Sequence, residues 1–460
     1  MRLPILFLLA ALLVGCGPTD APRIPDYRTL GELRVATRQD AIAFRYDEDG
    51  SSGFEHDLLL ALGEHLQVPV SFVVYPDVTQ MLRAVIDGEA HLAAAGLARN
   101  DLLPLRWSSP LREVDYVLVG RADRGAVRTE ADLNGRMVSV RRGSLPADRL
   151  ERLRKRLPGL SLHRPTAEGD QALLEQAAAG KLDLVATDRL HYAIAKRVFP
   201  ELTVVWELPI KSQIAWALPL EPAAPLAQEV ATFLDHMRAS GQLARIADRY
   251  FGHVRRLSTA DIVRFLSLVR ERLPRYRAHF QEAQTRTGID WRLLAALAYQ
   301  ESQWDPLAIS RTGVRGMMML TTETADRLGV RDRLDPRDSI LGGARYLEML
   351  RDQLQDDIAE PDRTWMAIAA YNLGMGHLRG ARAIARTMQR DHTSWWGLKT
   401  VLPLLSRPEY AARLKAGAAR GGEAVIMTEN IRNYYDILTR IEPPYLPPLQ
   451  PRGLKLSRNG

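Results

Sequence analysis

The sequence predicts two domains of different class, an α/β half followed by an all-α half. Three observations carry this. The chain has 460 residues, and two domains are the natural expectation for that length. From Leu33, short β-rich runs ("LRVAT", "VSFVVY", "YVLVG", "MVSVRRG", "LDLVATD", "LTVVWEL") alternate with helical stretches, the pattern of a largely parallel sheet flanked by helices. After about Phe251 these runs stop, and the rest reads as helices joined by short connections containing glycine or proline. An apolar content of 46% and a charged content of 25% are those of ordinary globular protein, enough for two cores. The expected limits are 30–252 for the α/β half and 261–442 for the helical half. The last stretch, 443–460, is proline-rich and then basic, and is expected to be a flexible tail.

The N-terminal residues read "MRLPILFLLAALLVG", one arginine and then an apolar run too short to span a bilayer. Residues 1–15 are therefore expected to be a secretory signal segment. No later stretch reaches about 18 uninterrupted apolar residues, so no membrane span is expected in the mature chain. The single cysteine, Cys16, excludes a disulfide framework and any cysteine-rich metal site. It closes "LLVGC", which resembles a bacterial lipobox. That resemblance implies that Cys16 is lipidated and becomes the new N-terminus, with 16–29 a proline-containing linker. Gly17 follows where an aspartate would resemble an inner-membrane retention signal, which favours the outer membrane. The other reading is an ordinary signal peptide that happens to contain a cysteine. The net charge of +7 is spread along the chain, with no basic run interleaved with aromatics, so nucleic acid is excluded as a partner.

In the helical half, "DWRLLAALAYQES" (290–302) places a glutamate on an apolar face. Leu297 and Leu294 lie four and seven residues before Glu301, on the same side of a helix that Asp290 is suited to cap. A carboxyl among such neighbours has its charged form disfavoured and donates a proton near neutral pH. The alternative is a glutamate near a helix end that reaches solvent. Other site chemistries find no support. The ten histidines show no metal-ligand spacing, "NLGMGHLRG" follows no strand, and there is no G-x-S-x-G elbow. No metal and no cofactor are expected.

Around Glu301 the motifs accumulate: Glu301-Ser302, Ser310, Gly313, the run Gly316-Met317-Met318-Met319, and Ala370-Tyr371-Asn372. From about Asp290 to Asn433 they resemble the lytic transglycosylase domain, a lysozyme-like helical fold acting on the glycan strands of peptidoglycan. The resemblance implies Glu301 as the catalytic acid and base, with Ser302, Ser310, Met318, Met319, Tyr371 and Asn372 at the substrate. It further implies that the Tyr371 hydroxyl steadies the glutamate and that Met317 to Met319 line the saccharide groove; core packing is the other reading for the methionines. Relatives carry a late tyrosine against the glutamate, where this chain offers Met427, with Tyr434 and Tyr435 further on.

The α/β half has its own pattern. "GFEHDLLLALGEHL", "DLNGRMVSVRRGS", "AAGKLDLVATD" and "FLDHMRASGQLARIADRYFG" follow in an order that resembles bilobal periplasmic solute-binding domains for amino acids. The resemblance places Asp188 near a ligand amino group and Arg142, Gly143 and Ser144 at a turn facing a ligand carboxylate. The family's carboxylate-gripping arginine is replaced by Asp101, with Arg99 or Arg106 as substitutes. A peptide-like ligand, such as a muropeptide, then fits better than a free amino acid; a scaffold that no longer binds is the alternative. With "GVRGMMMLT", the two halves together resemble the membrane-bound lytic murein transglycosylase F family. The implied activity is cleavage of the β-1,4 bond between N-acetylmuramic acid and N-acetylglucosamine, giving 1,6-anhydro ends. A lysozyme-type hydrolase and a solute receptor with a degenerate enzyme domain remain as alternatives.

Overall fold

The computed structural model describes residues 23–447, except 48, 49, 126, 167, 221–223, 255, 311, 312 and 416. Residues 1–15, Cys16 and most of 443–460 lie outside the described residues.

Among the described residues, twelve strands fall in the front half: β1 (Leu33–Thr37), β2 (Arg45–Asp47), β3 (Gly50–Ser52), β4 (Val70–Val74), β5 (Leu92–Ala93), β6 (Leu105–Trp107), β7 (Arg112–Arg121), β8 (Met137–Val140), β9 (Ser161–His163), β10 (Leu184–Asp188), β11 (Leu202–Ile214) and β12 (Ala217–Pro219). Ten of them build two five-stranded sheets, ordered β4-β1-β5-β12-β6 and β11-β7-β10-β8-β9, one to each lobe, and β2 and β3 pair as a separate antiparallel hairpin. The expectation of largely parallel sheets needs correction. β1 runs parallel to β4 and β5, and β8 parallel to β9 and β10, but β12, β7 and β11 pair antiparallel. The reason is that the chain crosses between lobes twice, and the returning strands run against their neighbours.

The two crossings lie side by side. Ser108 N–H donates to the Trp216 carbonyl at 2.9 Å, Trp216 N–H donates to the Ser108 hydroxyl at 3.0 Å, and Leu111 N–H donates to the Ile214 carbonyl at 2.8 Å. Such a paired crossing is the geometry of a hinge.

The helical half is organised around the helix Trp291–Ser302. Asp290 caps it, accepting from the Arg292 N–H at 2.8 Å, and Trp291 through Tyr299 are buried apart from Arg292. Each fully buried leucine there contributes roughly 1.5–3 kcal/mol, so the helix is fixed by its apolar surface more than by its caps. The long helix Gly421–Ile441 packs directly against it.

The halves are joined through the helix Gln242–Phe251, which packs on the first-lobe helix Phe54–Leu66. Arg249 pairs with Asp57 at 3.1 Å, and Arg245 pairs with Asp362 of the helical half at 2.9 Å. The second lobe makes its own attachment. Arg197 donates to Asn433 Oδ1 at 2.8 Å and pairs with Asp436, both on the helix Gly421–Ile441.

Candidate functional site

Glu301 sits in the last turn of the helix Trp291–Ser302, and the chain then turns sharply. Gln303 and Trp304 both take left-handed backbone conformations, with φ of 53° and 58°. Each such residue costs about 1–3 kcal/mol unless its surroundings impose it. Here they do. The Trp304 indole is fully buried and donates to the Ala295 carbonyl at 2.9 Å, while Arg272 donates to the Gln303 carbonyl at 3.0 Å. The loop is thereby folded back under the helix that carries the glutamate.

Among the described residues the Glu301 carboxyl has no hydrogen-bond or ion-pair partner, and burial alone pushes its pKa up to about 8. Leu294 and Leu297, one face back along the helix, are fully buried. The group is therefore protonated at neutral pH for the reason the sequence periodicity suggested. Among the described residues no acidic neighbour perturbs it. Asp290 is engaged as the cap and by Arg292 and Tyr435, and Asp305 accepts from the Leu307 N–H in a turn.

The motif residues sort into supports and free groups. The Ser302 hydroxyl lies 2.8 Å from the Met317 carbonyl and 3.1 Å from the Ala298 carbonyl, and its one hydrogen serves either. It ties the methionine loop to the glutamate's helix. Gly316 is required in that loop: at φ 83°, a Cβ would stand 1.7 Å from the Arg333 carbonyl oxygen. Ser310 closes the preceding turn, with its hydroxyl accepting from the Val314 N–H at 3.2 Å.

The expected methionine lining of the groove is corrected. Met317 and Met318 are 0% exposed; Met318 packs against Gly343, which has no side chain to obstruct it, and its N–H donates to the Ser339 hydroxyl at 3.1 Å. Only Met319, at φ 48°, keeps solvent contact. Tyr371 donates its hydroxyl hydrogen to the Met318 carbonyl at 2.7 Å, so that hydrogen supports the loop and is not directed at the glutamate. Burial, and then the Glu301 charge, hold its phenol well above the usual tyrosine range. Asn372, the next residue, is exposed.

Sequence reading missed Tyr346, whose ring packs on Tyr371 at 5.0 Å and lies under Arg327. The glycine pair Gly342-Gly343 just before it marked a face of close approach and was the available signal. The late tyrosines stand elsewhere. Tyr434 packs on Phe265 and Tyr299, both at 4.6 Å, and Tyr435 donates to Asp290 at 3.0 Å.

In the front half, Asp188 caps the helix Arg189–Lys196, accepting from the N–H groups of Leu190 and His191 at 2.8 and 3.0 Å. Its other oxygen meets His191 Nδ1 at 2.6 Å, and His191 Nε2 meets Asp40 of the first lobe at 3.1 Å. Arg141 reaches Asp170 at 3.0 Å and Asp40 at 3.5 Å. All five side chains are buried, so the lobes are clasped by a charge cluster spanning the cleft. Burial penalises every charge in it. The mutual pairing wins, holding Asp40 and Asp188 well below the carboxylate range and His191 well above the imidazole range. Asp40, Asp170 and His191 have the proximity of metal ligands, but the Arg141 guanidinium already lies against both carboxylates.

Arg142, at the turn whose backbone N–H groups are expected to meet a ligand carboxylate, has an exposed side chain, while its neighbour Arg141 is buried. Ser144 caps the helix Leu145–Arg154 and donates to the Arg141 carbonyl at 2.7 Å. The turn between them presses on the first lobe, where a Gly143 Cβ would stand 2.7 Å from Thr79 Oγ1. Arg99 and Arg106 are both exposed, and Arg99 pairs with Asp101 at 2.8 Å. Arg38 is the surprise. It is 2% exposed, its Nε and Nη1 have no partner, and no carboxylate lies within ion-pair distance among the described residues.

Comparisons with known proteins agree with both halves. Residues 33–253 match the model of bacterial extracellular solute-binding proteins, family 3, and 278–394 match the transglycosylase SLT domain. A solved ancestral arginine-binding protein bound to arginine aligns with 48% of this chain and 98% of its own, at 22% identity and a TM-score of 0.44. The membrane-bound lytic murein transglycosylase F of Thiobacillus denitrificans is 45% identical over 450 residues, covering 96% of this chain and 94% of that protein. Its counterpart from Methylobacillus flagellatus is 40% identical over 454 residues, covering 97% and 96%. With the likeness running through both halves, the chain belongs to the membrane-bound lytic murein transglycosylase F family.

Proposed function

We propose that this lytic transglycosylase cleaves the β-1,4 bond between N-acetylmuramic acid and N-acetylglucosamine with Glu301 as its only catalytic carboxyl. The observation that carries this is a half-buried glutamate whose pKa desolvation raises to about 8, with no acidic partner among the described residues. Protonated Glu301 gives its proton to the glycosidic oxygen as the bond to carbon 1 breaks. The resulting carboxylate then takes the proton of the muramic acid carbon-6 hydroxyl while that oxygen bonds to carbon 1. The enzyme returns to its starting state, and a 1,6-anhydro end forms without water. The substrate's acetamido group steadies the cationic stage, as in substrate-assisted glycosidases. Tyr371 and Ser302 hold the loop that shapes the site, while Asn372 and Met319 remain free to meet the sugars. A hydrolase of the lysozyme type uses a second carboxylate, for which Asp290 and Asp305 are engaged elsewhere. Mass spectrometry of sacculi digested by the mature protein tests this: anhydro products are lighter by one water than hydrolytic ones.

The same proposal covers attachment and control. A lipidated Cys16 anchors the protein to the outer membrane. The supports are the segment "LLVGC", the membrane-bound relatives, and the absence among the described residues of a helix long and apolar enough to cross a membrane. Cys16→Ala is expected to release the protein from the membrane fraction and abolish fatty-acid labelling; unchanged fractionation with no label in the parent contradicts it.

A wall peptide or muropeptide is the ligand of the front domain, and its binding alters access to Glu301. The unpaired Arg38 favours a ligand with a carboxylate. One short helix, Arg189–Lys196, supports the coupling: Asp188 and His191 clasp the lobes at one end, and Arg197 grips Asp436 and Asn433 at the other. Coupling of this kind is typically about 1–3 kcal/mol, roughly 5–150-fold in affinity. Glycan cleavage rates with and without muramyl peptide, in the parent and in Arg197→Ala, test it. Ligand dependence in both proteins alike rules out this route.

A further inference from the structure

Where the three bodies meet there is a cavity of about 250 Å³. Its walls come from the first lobe (Arg45), the second lobe (Ile194), the connecting segment (His253) and the helical half (Trp365, Asp436, Arg440). It lies outside the interlobe clasp and outside the Glu301 site, and neither the reaction nor the clasp uses it.

Hydrogen-bond donors outnumber acceptors in this wall. His253 is only 6% exposed, yet neither ring nitrogen has a hydrogen-bond partner. Its Nε2 stands 3.8 Å from Asp436, beyond hydrogen-bond reach. Asp436, the one acidic residue in the lining, is already shared by Arg197 and by Arg440 at 3.5 Å. The Arg440 Nε is buried without a partner, and the exposed Arg45 stands at the rim. A buried polar group without a partner is destabilising, and guanidinium groups are met best by the paired oxygens of a carboxylate or phosphate. The Arg432 guanidinium, over the Trp365 ring at 5.5 Å, is already committed to Glu429 at 2.8 Å and Asp248 at 3.4 Å, so the unmatched donors of the wall are those of Arg440, His253 and Arg45.

We propose that this junction cavity binds a small oxyanion, a carboxylate or phosphate, through Arg440, His253 and Arg45. The bound anion touches the front lobe and the helical half together, so it stiffens the joint between them. The ligand is distinct from the wall peptide of the interlobe cleft, and the proposal does not depend on that reading.

Calorimetric titration of the full mature chain with inorganic phosphate, and separately with acetate, tests it. Saturable binding of at least one of the two is expected, and which one binds distinguishes a phosphate site from a carboxylate site. Arg45→Gln and Arg440→Gln, whose side chains reach the cavity rim and wall, should each weaken that binding at least about tenfold while heat-unfolding traces show both variants folded. The bound anion should also raise the unfolding midpoint of the parent more than that of either variant. No saturable binding by either anion up to roughly 10 mM, or equal binding in parent and both variants, overturns the proposal.

Discussion

Glu301 in the helical half and Asp188 in the front half are both carboxylates taken out of water, and they respond in opposite directions. Burial raises Glu301 to about 8, because nothing charged stands beside it. Burial also acts on Asp188, but His191 and Arg112 outweigh it and hold the group ionised. The same desolvation penalty thus yields a proton donor in one place and a permanent charge in the other. The partner decides: the unpaired carboxyl is the acid of the proposed reaction, and the paired one holds the lobes together.

The comparison breaks most sharply at its two centres. Glu301→Gln removes the transferable proton and keeps the side chain's shape, so turnover should fall by roughly 10²–10⁴-fold while the variant stays folded. Near-native glycan cleavage by the purified variant contradicts the assignment. His191→Gln should do the reverse. It leaves Asp40 and Asp188 without their shared cation, and removing one member of a buried pair costs about 3–5 kcal/mol, read by chemical unfolding of the front domain. A loss below about 1 kcal/mol would mean that the clasp carries no net pairing energy.

Titration sharpens the contrast. Glu301 binds its proton more tightly folded than unfolded, so its contribution to stability is full below about 4.5 and is lost as pH rises toward about 8. Asp188 is the opposite case, with its contribution present above its unfolded value of 3.8 and lost as pH falls. Relative to the parent, Glu301→Gln should therefore gain stability between pH 5 and 8, a range inside the one spanned by 4.5 and 8, whereas the front domain should loosen only in acid. The parent's cleavage rate should decline on the alkaline side with a midpoint near 8. The smallest effect is expected from Tyr371→Phe. It leaves the Met318 carbonyl without its donor, costing about 1–3 kcal/mol in stability, with glycan cleavage reduced only through the loosened loop.

What the sequence made legible follows from how local the physics is. The strand and helix alternation, the cap at Asp290 and the placement of Glu301 among leucines all depend on neighbours within one turn or one strand. The clasp does not: Asp40 and His191 stand 151 residues apart, and no local pattern joins them. The pair Arg141-Arg142 shows the limit at single-residue scale, since which arginine turns inward depends on how the strand ends against the other lobe. The motif places Met318 in the groove because its loop belongs to the site. Its burial is set by Gly343 on another helix, and Tyr371's commitment to a backbone carbonyl leaves no trace in side-chain spacing.

The central claim, that burial alone keeps Glu301 protonated for its first proton transfer, is tested by infrared titration of the parent against Glu301→Gln. The difference spectrum isolates one carboxyl. The protonated C=O band should persist through neutrality and give way to the carboxylate bands with a midpoint near 8; a midpoint near the ordinary 4.5 contradicts it.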